Sequence, residues 1–108
     1  MLRKTERLPR SAFLPFFKNG KRFHGPNLGI VYTPHQSFHA SVVVSKKVSK
    51  LAVDRNTIRR RLYAQLRLLR VRKPGVYIVT VKPTFASLSR KAMKEEASTL
   101  IERLLTSA

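Results

Sequence analysis

The order of apolar and polar positions along the chain predicts short strands between helices. Runs rich in β-branched and aromatic residues are separated by turn-forming Gly, Pro and Asn, which is typical of a sheet. The predicted strands are residues 21–24, 28–33, 38–45 and 76–82. The predicted helices are residues 11–19, 54–72 and 89–105. The order α-β-β-β-α-β-α predicts a single α+β domain over residues 1–108, a two-layer sandwich with helices on a mixed four-stranded sheet.

The middle helix has the clearest pattern. Its apolar positions fall on one stripe, because each residue turns a helix by about 100°. They are Ile58, Leu62, Leu66 and Leu69. Asp54 is suited to cap the start of this helix, and Lys73-Pro74-Gly75 ends it. The stripe predicts the face that packs on the sheet, and the remaining positions predict an exposed face.

The two outer helices are predicted from similar features. Ser11 is a candidate N-cap for the first helix, and Gly20 is a candidate stop. Pro15 removes a backbone donor just after the first turn, so we expect that helix to be short or irregular. The predicted buried stripe of the last helix is Met93, Ala97, Leu100, Ile101 and Leu104.

Charge narrows the choice of function more than the predicted fold does. The chain has 23 Lys and Arg against 5 Asp and Glu, a formal net charge of +18. A folded protein this basic repels itself unless a polyanion supplies counter-charge. Nucleic acid is the usual polyanion, because neutralised phosphates release condensed counterions. Eleven of the cations lie between Lys46 and Lys73, whereas the last helix is nearly neutral. This uneven distribution of charge predicts one basic binding face rather than a uniformly basic surface.

Composition disfavours several classes of protein. The chain has no Cys, which excludes a disulfide framework and a thiolate metal site. No apolar run approaches the roughly 18 residues that a membrane-spanning helix needs. No clean apolar stretch follows the basic start, as a signal peptide would require. We therefore expect a soluble cytoplasmic protein with no membrane partner.

The arginines of the middle helix lack acidic neighbours. Six arginines from Arg55 to Arg70 have no Asp or Glu three or four positions away, where like charges destabilise a helix. A solvated amphipathic helix would explain the apolar stripe but not this density of arginine. A surface that meets phosphates explains both, because guanidinium groups form paired hydrogen bonds with phosphate oxygens.

The segment SKKVSKLAVDRNTIRRRL, residues 45–62, resembles the signature of the bacterial ribonuclease P protein component. That signature is a strand ending in Ser-Lys-Lys, a short loop, and Arg-Asn-x-x-Lys-Arg on a helix. The residues that the resemblance assigns to RNA binding are Lys46, Lys47, Arg55, Asn56, Arg59, Arg60 and Arg61. Thr57 stands where the family usually has a basic residue, and Arg61 is the candidate to take over that contact.

The resemblance extends over nearly the whole chain, beginning with Leu8-Pro9-Arg10-Ser11-Ala12-Phe13. It implies a ribosomal protein S5 domain 2-like fold with a left-handed β-α-β crossover around the basic helix. It also implies a cleft between the first helix and the sheet for the single-stranded 5′ leader of precursor tRNA. Phe13, Phe17 and Tyr32 take the cleft positions, and aromatic faces in a basic groove suit unpaired bases. The alternative for Phe13 and Phe17 is a core stripe of the first helix.

The function implied by the resemblance is that of the protein subunit of ribonuclease P, an endoribonuclease that trims the 5′ ends of precursor tRNAs. The implied partners are the RNA subunit and precursor tRNA, with no obligate protein partner. We expect no catalytic residue in the chain, because its five acids do not obviously converge and its histidines show no ligand spacing. Mg²⁺ is expected on the RNA subunit, and no metal or cofactor on the protein itself.

Three other functions fit part of the pattern. A structural RNA-binding protein of ribosomal type would have a similar composition and fold. A DNA-binding module would place the basic helix in a major groove, but neither dimer geometry nor base-reading side chains are evident. A protein-only nuclease would need carboxylates that the sequence does not group. The Arg-Asn-x-x-Arg-Arg helix after Ser-Lys-Lys favours the ribonuclease P hypothesis.

Overall fold

The computed structural model describes residues 6–8 and 10–106. The strands are β1 (Lys21–His24), β2 (Leu28–Pro34), β3 (His39–Val43) and β4 (Gly75–Val81). The helices are α1 (Arg10–Asn19), α2 (Ala52–Leu66), α3 (Leu69–Arg72) and α4 (Arg90–Thr106), with a 3-10 helix at Pro83–Ser87. The predicted order of elements is confirmed, and α3 and the 3-10 helix are additions to it.

The four strands form one mixed sheet in the order β1-β2-β4-β3. Neighbours are antiparallel except β3 and β4, which are parallel. Parallel neighbours cannot be joined by a hairpin, so α2 crosses over between them as a β-α-β unit. Residues 6–8, the N-terminal arm, lie along the outer edge of β3: Arg7 bridges to Ala40, and the Leu8 amide donates to the Ala40 carbonyl at 2.9 Å. The arm and α2 therefore lie on the same side of the molecule.

Different helices cover the two faces of the sheet. The predicted apolar stripes of α2, α3 and α4 are confirmed on one face. The buried residues of these stripes are Ile58, Leu62, Leu66, Leu69, Ala97, Leu100, Ile101 and Leu104. Each large aliphatic side chain contributes about 1.5–3 kcal/mol through burial, and Met93 packs at the margin. The other face meets α1, since Arg22, which alternates with buried Phe23 on β1, lies over the Phe17 ring. This α1 layer adds to the two layers that were predicted.

The start of α2 differs from its prediction. The cap position is Leu51, which makes no side-chain cap bond, and Asp54 lies in the first turn instead of at the cap. There the Asp54 carboxylate accepts a hydrogen bond from Ser49 Oγ at 3.2 Å and faces the positive end of the helix dipole. The Arg55 guanidinium holds the preceding loop, donating to the carbonyls of Ser49 and Lys50 at 2.9 and 3.0 Å. The helix therefore begins at Ala52, two residues before the predicted cap, beside a loop that Arg55 holds in place.

The predicted single helix is interrupted after Leu66. Arg67 and Leu68 keep helical backbone angles. The Arg70 amide, however, donates to the Arg67 carbonyl at 3.2 Å, a three-residue spacing that tightens the turn. Leu69 is still fully buried, so the apolar stripe continues across the interruption.

The first helix spans ten residues and contains Pro15. It begins at Arg10, so Ser11 lies within the first turn and is not its cap. The predicted stop, Gly20, follows the last residue, but its φ is not positive. Its lack of a side chain is needed for space, because a Cβ there would collide with Val31 Cγ1 and lie 2.9 Å from the Phe16 carbonyl oxygen.

A glycine is also required at the start of β4. A Cβ on Gly75 would lie 2.5 Å from Tyr32 Cε1 and 2.8 Å from the Thr33 carbonyl oxygen. That oxygen belongs to the backbone of β2 and cannot move without moving the strand. We expect Gly75→Ala to lower the free energy of unfolding by about 1–3 kcal/mol, as measured by urea denaturation.

Gly25→Ala is the matched control for this substitution. A Cβ on Gly25 would approach only side-chain atoms of Glu96 and Leu100, at 3.0 Å or more. Its loss of stability should be clearly smaller than that of Gly75→Ala. Equal stability of Gly75→Ala and the wild-type protein would contradict the role of close packing between β2 and β4.

Candidate nucleic-acid interface

A groove of about 570 Å³ lies between the N-terminal arm and α2. We call it the arm groove, and it is lined by Arg7, Val53, Asn56, Arg59, Arg60 and Tyr63. Three of these six side chains are cationic and none is acidic. An anion entering this groove would therefore meet positive charge on both walls, from the arm on one side and from α2 on the other.

Neutral partners orient the side chains of the arm groove. Arg59 donates to Asn56 Oδ1 at 2.7 Å and to the Val44 carbonyl at 3.4 Å. These partners fix the guanidinium without neutralising it, so its charge is available to a ligand. Arg60 is exposed, and within residues 6–8 and 10–106 it has no hydrogen-bond or ion-pair partner. The two arginines thus present to the groove one guanidinium held by neutral partners and one that is exposed.

Tyr63 ties the arm groove to the sheet. Its hydroxyl accepts a hydrogen bond from the Val42 amide at 3.2 Å, across the gap between α2 and β3. The ring packs against the core while one side lines the groove. A rigid aromatic surface therefore lies next to the cations.

The predicted lysines extend this surface beyond α2. Lys46 and Lys47 are exposed in a turn that follows β3. The Val48 amide closes that turn by donating to the Ser45 carbonyl at 3.0 Å, and the Val48 side chain is buried beneath it. The lysines are therefore held outward at the start of the crossover. Arg55 is half-buried, since its guanidinium holds the adjacent loop.

The structure does not bring all the predicted α2 residues together. Arg61 lies on the other side of the helix, with Nη1 3.9 Å from Met93 Sδ of α4. Thr57 faces the same side, one turn earlier, and its hydroxyl donates to the Val53 carbonyl at 2.9 Å. Arg61 is thus near the position that Thr57 leaves without charge, but away from Arg59 and Arg60. The residue missing from the sequence prediction is Arg7, whose place depends on pairing of the arm with β3.

A second candidate surface lies on the opposite face of the sheet, around α1. The rings of Phe13 and Phe17 stack at 5.3 Å with an angle of 16° between their planes, and both are half-buried. The Arg22 guanidinium lies 4.7 Å from the centre of the Phe17 ring and donates to the Phe17 carbonyl at 2.8 Å. Phe16 diverges from this group and meets the His35 ring edge-on at 6.3 Å. Stacked aromatic rings beside a cation have the chemistry that unpaired bases require.

Tyr32, the third predicted cleft residue, does not join this surface. Its side chain is 9% exposed and belongs to the core on the face of the sheet that α2 and α4 cover. Its ring packs on Tyr77 at 5.0 Å. Burial raises the pKa of the Tyr77 hydroxyl, and the neighbouring Tyr32 contributes to the shift. The structure therefore corrects the placement of Tyr32 from the cleft to the core, because strand alternation turns it away from α1.

The acids of the described chain are dispersed. Glu96 binds the β1–β2 turn, accepting hydrogen bonds from the Asn27 amide and Nδ2, each at 2.8 Å. Glu6 pairs with Arg70 on another side of the molecule. Within residues 6–8 and 10–106, no group of three or more His, Cys, Asp or Glu is arranged to hold a metal ion. Over the same residues, no helix is long and apolar enough to cross a membrane.

Fold and site together define a small basic α+β protein with a cationic groove beside its β-α-β crossover. The family model of Ribonuclease P matches residues 2–105. The chain therefore belongs to the ribonuclease P protein family. Members of this family work within an endoribonuclease ribonucleoprotein, which implies an RNA partner.

Relatives with the same description cover most of the chain. The ribonuclease P protein component of Pseudanabaena sp. (strain PCC 6903) is 40% identical over 92 residues, covering 81% of this chain and 79% of the relative. That of Xylella fastidiosa (strain Temecula1) is 28% identical over 112 residues, covering 95% of this chain and 83% of the relative.

Solved structures show the same fold at lower sequence identity. The ribonuclease P protein of Staphylococcus aureus superposes with a TM-score of 0.84 at 17% identity, covering 94% of this chain and 96% of that chain. The protein from Thermotoga maritima gives a TM-score of 0.77 at 21% identity, covering 91% and 96%. The predicted α+β fold with a mixed four-stranded sheet is confirmed by these likenesses.

Proposed function

We propose that this chain is the protein subunit of ribonuclease P, which binds the catalytic RNA subunit and the 5′ leader of precursor tRNA. In this role it assists the endonucleolytic removal of the leader that gives mature tRNA 5′ ends. The observation that carries the proposal is the arm groove, where Arg7, Arg59 and Arg60 meet without an acidic residue in the lining. Family membership supports the RNA subunit as the partner.

The arm groove and the Lys46–Lys47 turn would bind the backbone of the RNA subunit. Each guanidinium that meets a phosphate forms charge-assisted hydrogen bonds and releases condensed counterions. Neither effect depends on base identity, so the groove would recognise the shape of the RNA strand rather than its sequence. Arg59, already oriented by Asn56 and Val44, would lose little side-chain entropy on binding.

The α1 surface would bind the leader. A single-stranded leader offers unpaired bases for stacking on Phe13 and Phe17, and a phosphate for Arg22. Mature tRNA has no leader and would make none of these contacts. The two surfaces lie on different faces of the sheet, so one subunit would hold the RNA subunit and the substrate leader at the same time.

The cleavage chemistry would belong to the RNA subunit. The acids of the described chain are dispersed, and several of them hold structural elements in place. Mg²⁺ on the RNA subunit would then supply the metal-bound nucleophile and stabilise the leaving oxygen. The protein would help by reducing repulsion between RNA subunit and substrate phosphates, a task that otherwise falls to free Mg²⁺.

Reconstitution with the cognate RNA subunit tests this division of labour. We expect purified, RNA-free protein not to cleave precursor tRNA, and expect it to lower the Mg²⁺ concentration that the RNA subunit needs for half-maximal cleavage. The measurement is a Mg²⁺ titration of leader release with and without protein. Robust cleavage by the protein alone would contradict the proposal. An unchanged Mg²⁺ requirement would favour a structural RNA-binding protein instead.

A further inference from the structure

The N-terminal arm is held to the body of the protein by an ion pair. Arg70 Nη2 donates to Glu6 Oε1 at 2.7 Å, and Arg70 Nε lies close to Oε2 without making a hydrogen bond. The Glu6 side chain is 13% exposed and that of Arg70 is 35% exposed, so solvent screens this pair less than an ordinary surface pair. Because Arg70 lies on α3, the contact joins the first described residues to the end of the crossover.

The backbone of the arm makes a second attachment. Arg7 bridges in parallel to Ala40, and the Leu8 amide donates to the Ala40 carbonyl at 2.9 Å. Ala40 is fully buried on β3, so the arm pairs with a strand edge whose position is fixed. The side chain of Arg7 is exposed and lines the arm groove, facing the α2 wall.

We propose that Glu6 and Arg70 form a clasp that positions Arg7 as a further phosphate contact, so that the arm groove holds one RNA strand from both walls. This inference rests on the proposed function of binding the RNA subunit. In it, Glu6 is a positioning residue and touches no RNA. The clasp requires an acid next to an RNA-binding groove. Net electrostatics alone would disfavour one there, since every Glu weakens the attraction of a basic protein to RNA.

The clasp acts by ordering the arm before RNA arrives. A free arm would have to lose backbone and side-chain entropy at the moment of binding, which lowers affinity without changing any contact. An arm already fixed by Arg70 and Ala40 has lost that entropy during folding. The groove then binds as a preformed site.

Glu6→Ala separates the clasp from simple electrostatics by the sign of its effect. Removing one acid changes the formal net charge from +18 to +19, so electrostatics alone predicts equal or tighter binding of the RNA subunit. The clasp predicts binding weaker by about three- to tenfold. Glu102→Ala is the matched control, because it makes the same charge change at an exposed position of α4. Equal or tighter binding by Glu6→Ala, as in the control, would overturn the inference.

A double-mutant cycle with Arg7 tests the coupling. Arg7→Ala should weaken RNA binding and lower the salt slope by about one unit or less. In the Glu6→Ala background the same substitution should have a smaller effect, because Arg7 is no longer held in the groove. Equal effects of Arg7→Ala in both backgrounds would show that Glu6 does not position Arg7, and would also overturn the inference.

Hydrogen exchange in the free protein tests the clasp without RNA. The Leu8 amide, bonded to Ala40, should exchange faster in Glu6→Ala than in the wild type and Glu102→Ala. Unchanged exchange would overturn the clasp even if the protein binds RNA. Wild-type protein that fails to bind the RNA subunit would instead reject the proposed function and the RNA contact of Arg7, and the exchange rates would still decide whether Glu6 orders the arm.

Discussion

Replacing Arg59 and Arg60 together with alanine should weaken binding of the RNA subunit by about 10- to 100-fold. Both side chains line the arm groove, and neither belongs to the buried stripe of α2, so the fold should be unaffected. The salt dependence of the affinity should also become less steep, by about 0.7–0.9 units of slope for each lost phosphate contact. Filter binding or fluorescence titration over a range of salt concentrations measures both quantities.

Lys91→Ala/Lys94→Ala is the control for this double substitution. It removes the same charge from an exposed part of α4, where Glu95 and Glu102 lie close by. It should change affinity and salt slope much less. Arg55→Ala makes a poorer test than Arg59→Ala, because the Arg55 guanidinium also holds the loop before α2. If the Arg59/Arg60 variant bound RNA with wild-type affinity and slope, the arm groove would not be the RNA-binding surface.

Phe17→Ala should weaken binding of precursor tRNA to the reconstituted enzyme while leaving the affinity for mature tRNA unchanged. Stacking of a base on an aromatic side chain contributes about 1–3 kcal/mol, which corresponds to about 5- to 150-fold in affinity. Phe17 is half-buried and lies against Phe13 and Arg22, so part of this aromatic pair and the neighbouring cation are accessible to a leader. The measurement is the ratio of the two tRNA affinities.

A purely structural role of Phe17 makes a different forecast. Removal of a core phenyl ring would cost about 3–5 kcal/mol of stability and would reduce binding of both tRNAs through loss of folded protein. Phe16→Ala is the matched control, since Phe16 is also half-buried on α1 but faces His35. A large fall in melting temperature with an unchanged affinity ratio would assign Phe17 to the packing of α1. So would an equal effect of Phe16→Ala on the ratio.

The sequence predicted α2 well because its periodic pattern reflects both the packing of the helix on the sheet and the exposure of its arginines. Apolar residues every three or four positions place the helix on the sheet, and the arginines between them remain exposed. Both features can be seen from the spacing of residues within the helix itself. The predicted start of the helix was wrong because it was also inferred from local sequence. Asp54 has the chemistry of a cap, but the helix begins at Ala52, after a loop that Arg55 holds.

Tyr32 and Arg7 were beyond the reach of local pattern. The run from Leu28 to Tyr32 is buried throughout, since helices cover both faces of β2, so no alternation of polar residues shows which way Tyr32 points. Arg7 reaches the groove only because the arm pairs with β3, more than thirty residues along the chain. Pairings between distant segments leave no signature in a single sequence. The resemblance was enough to predict the family and the basic helix, whereas the positions of Tyr32 and Arg7 required the three-dimensional structure.

Helix α2 both packs on the sheet and lines the arm groove, and these two roles restrict how members of this family can diverge. Its buried stripe fixes the rotation of the helix on the sheet, and Asn56, Arg59 and Arg60 line the arm groove only at that rotation. Inserting or deleting one residue between Ile58 and Leu66 would turn the residues after the change by about 100° relative to those before it, which exposes apolar side chains or buries charge. Homologues can therefore exchange residue types along this helix far more easily than they can change its length.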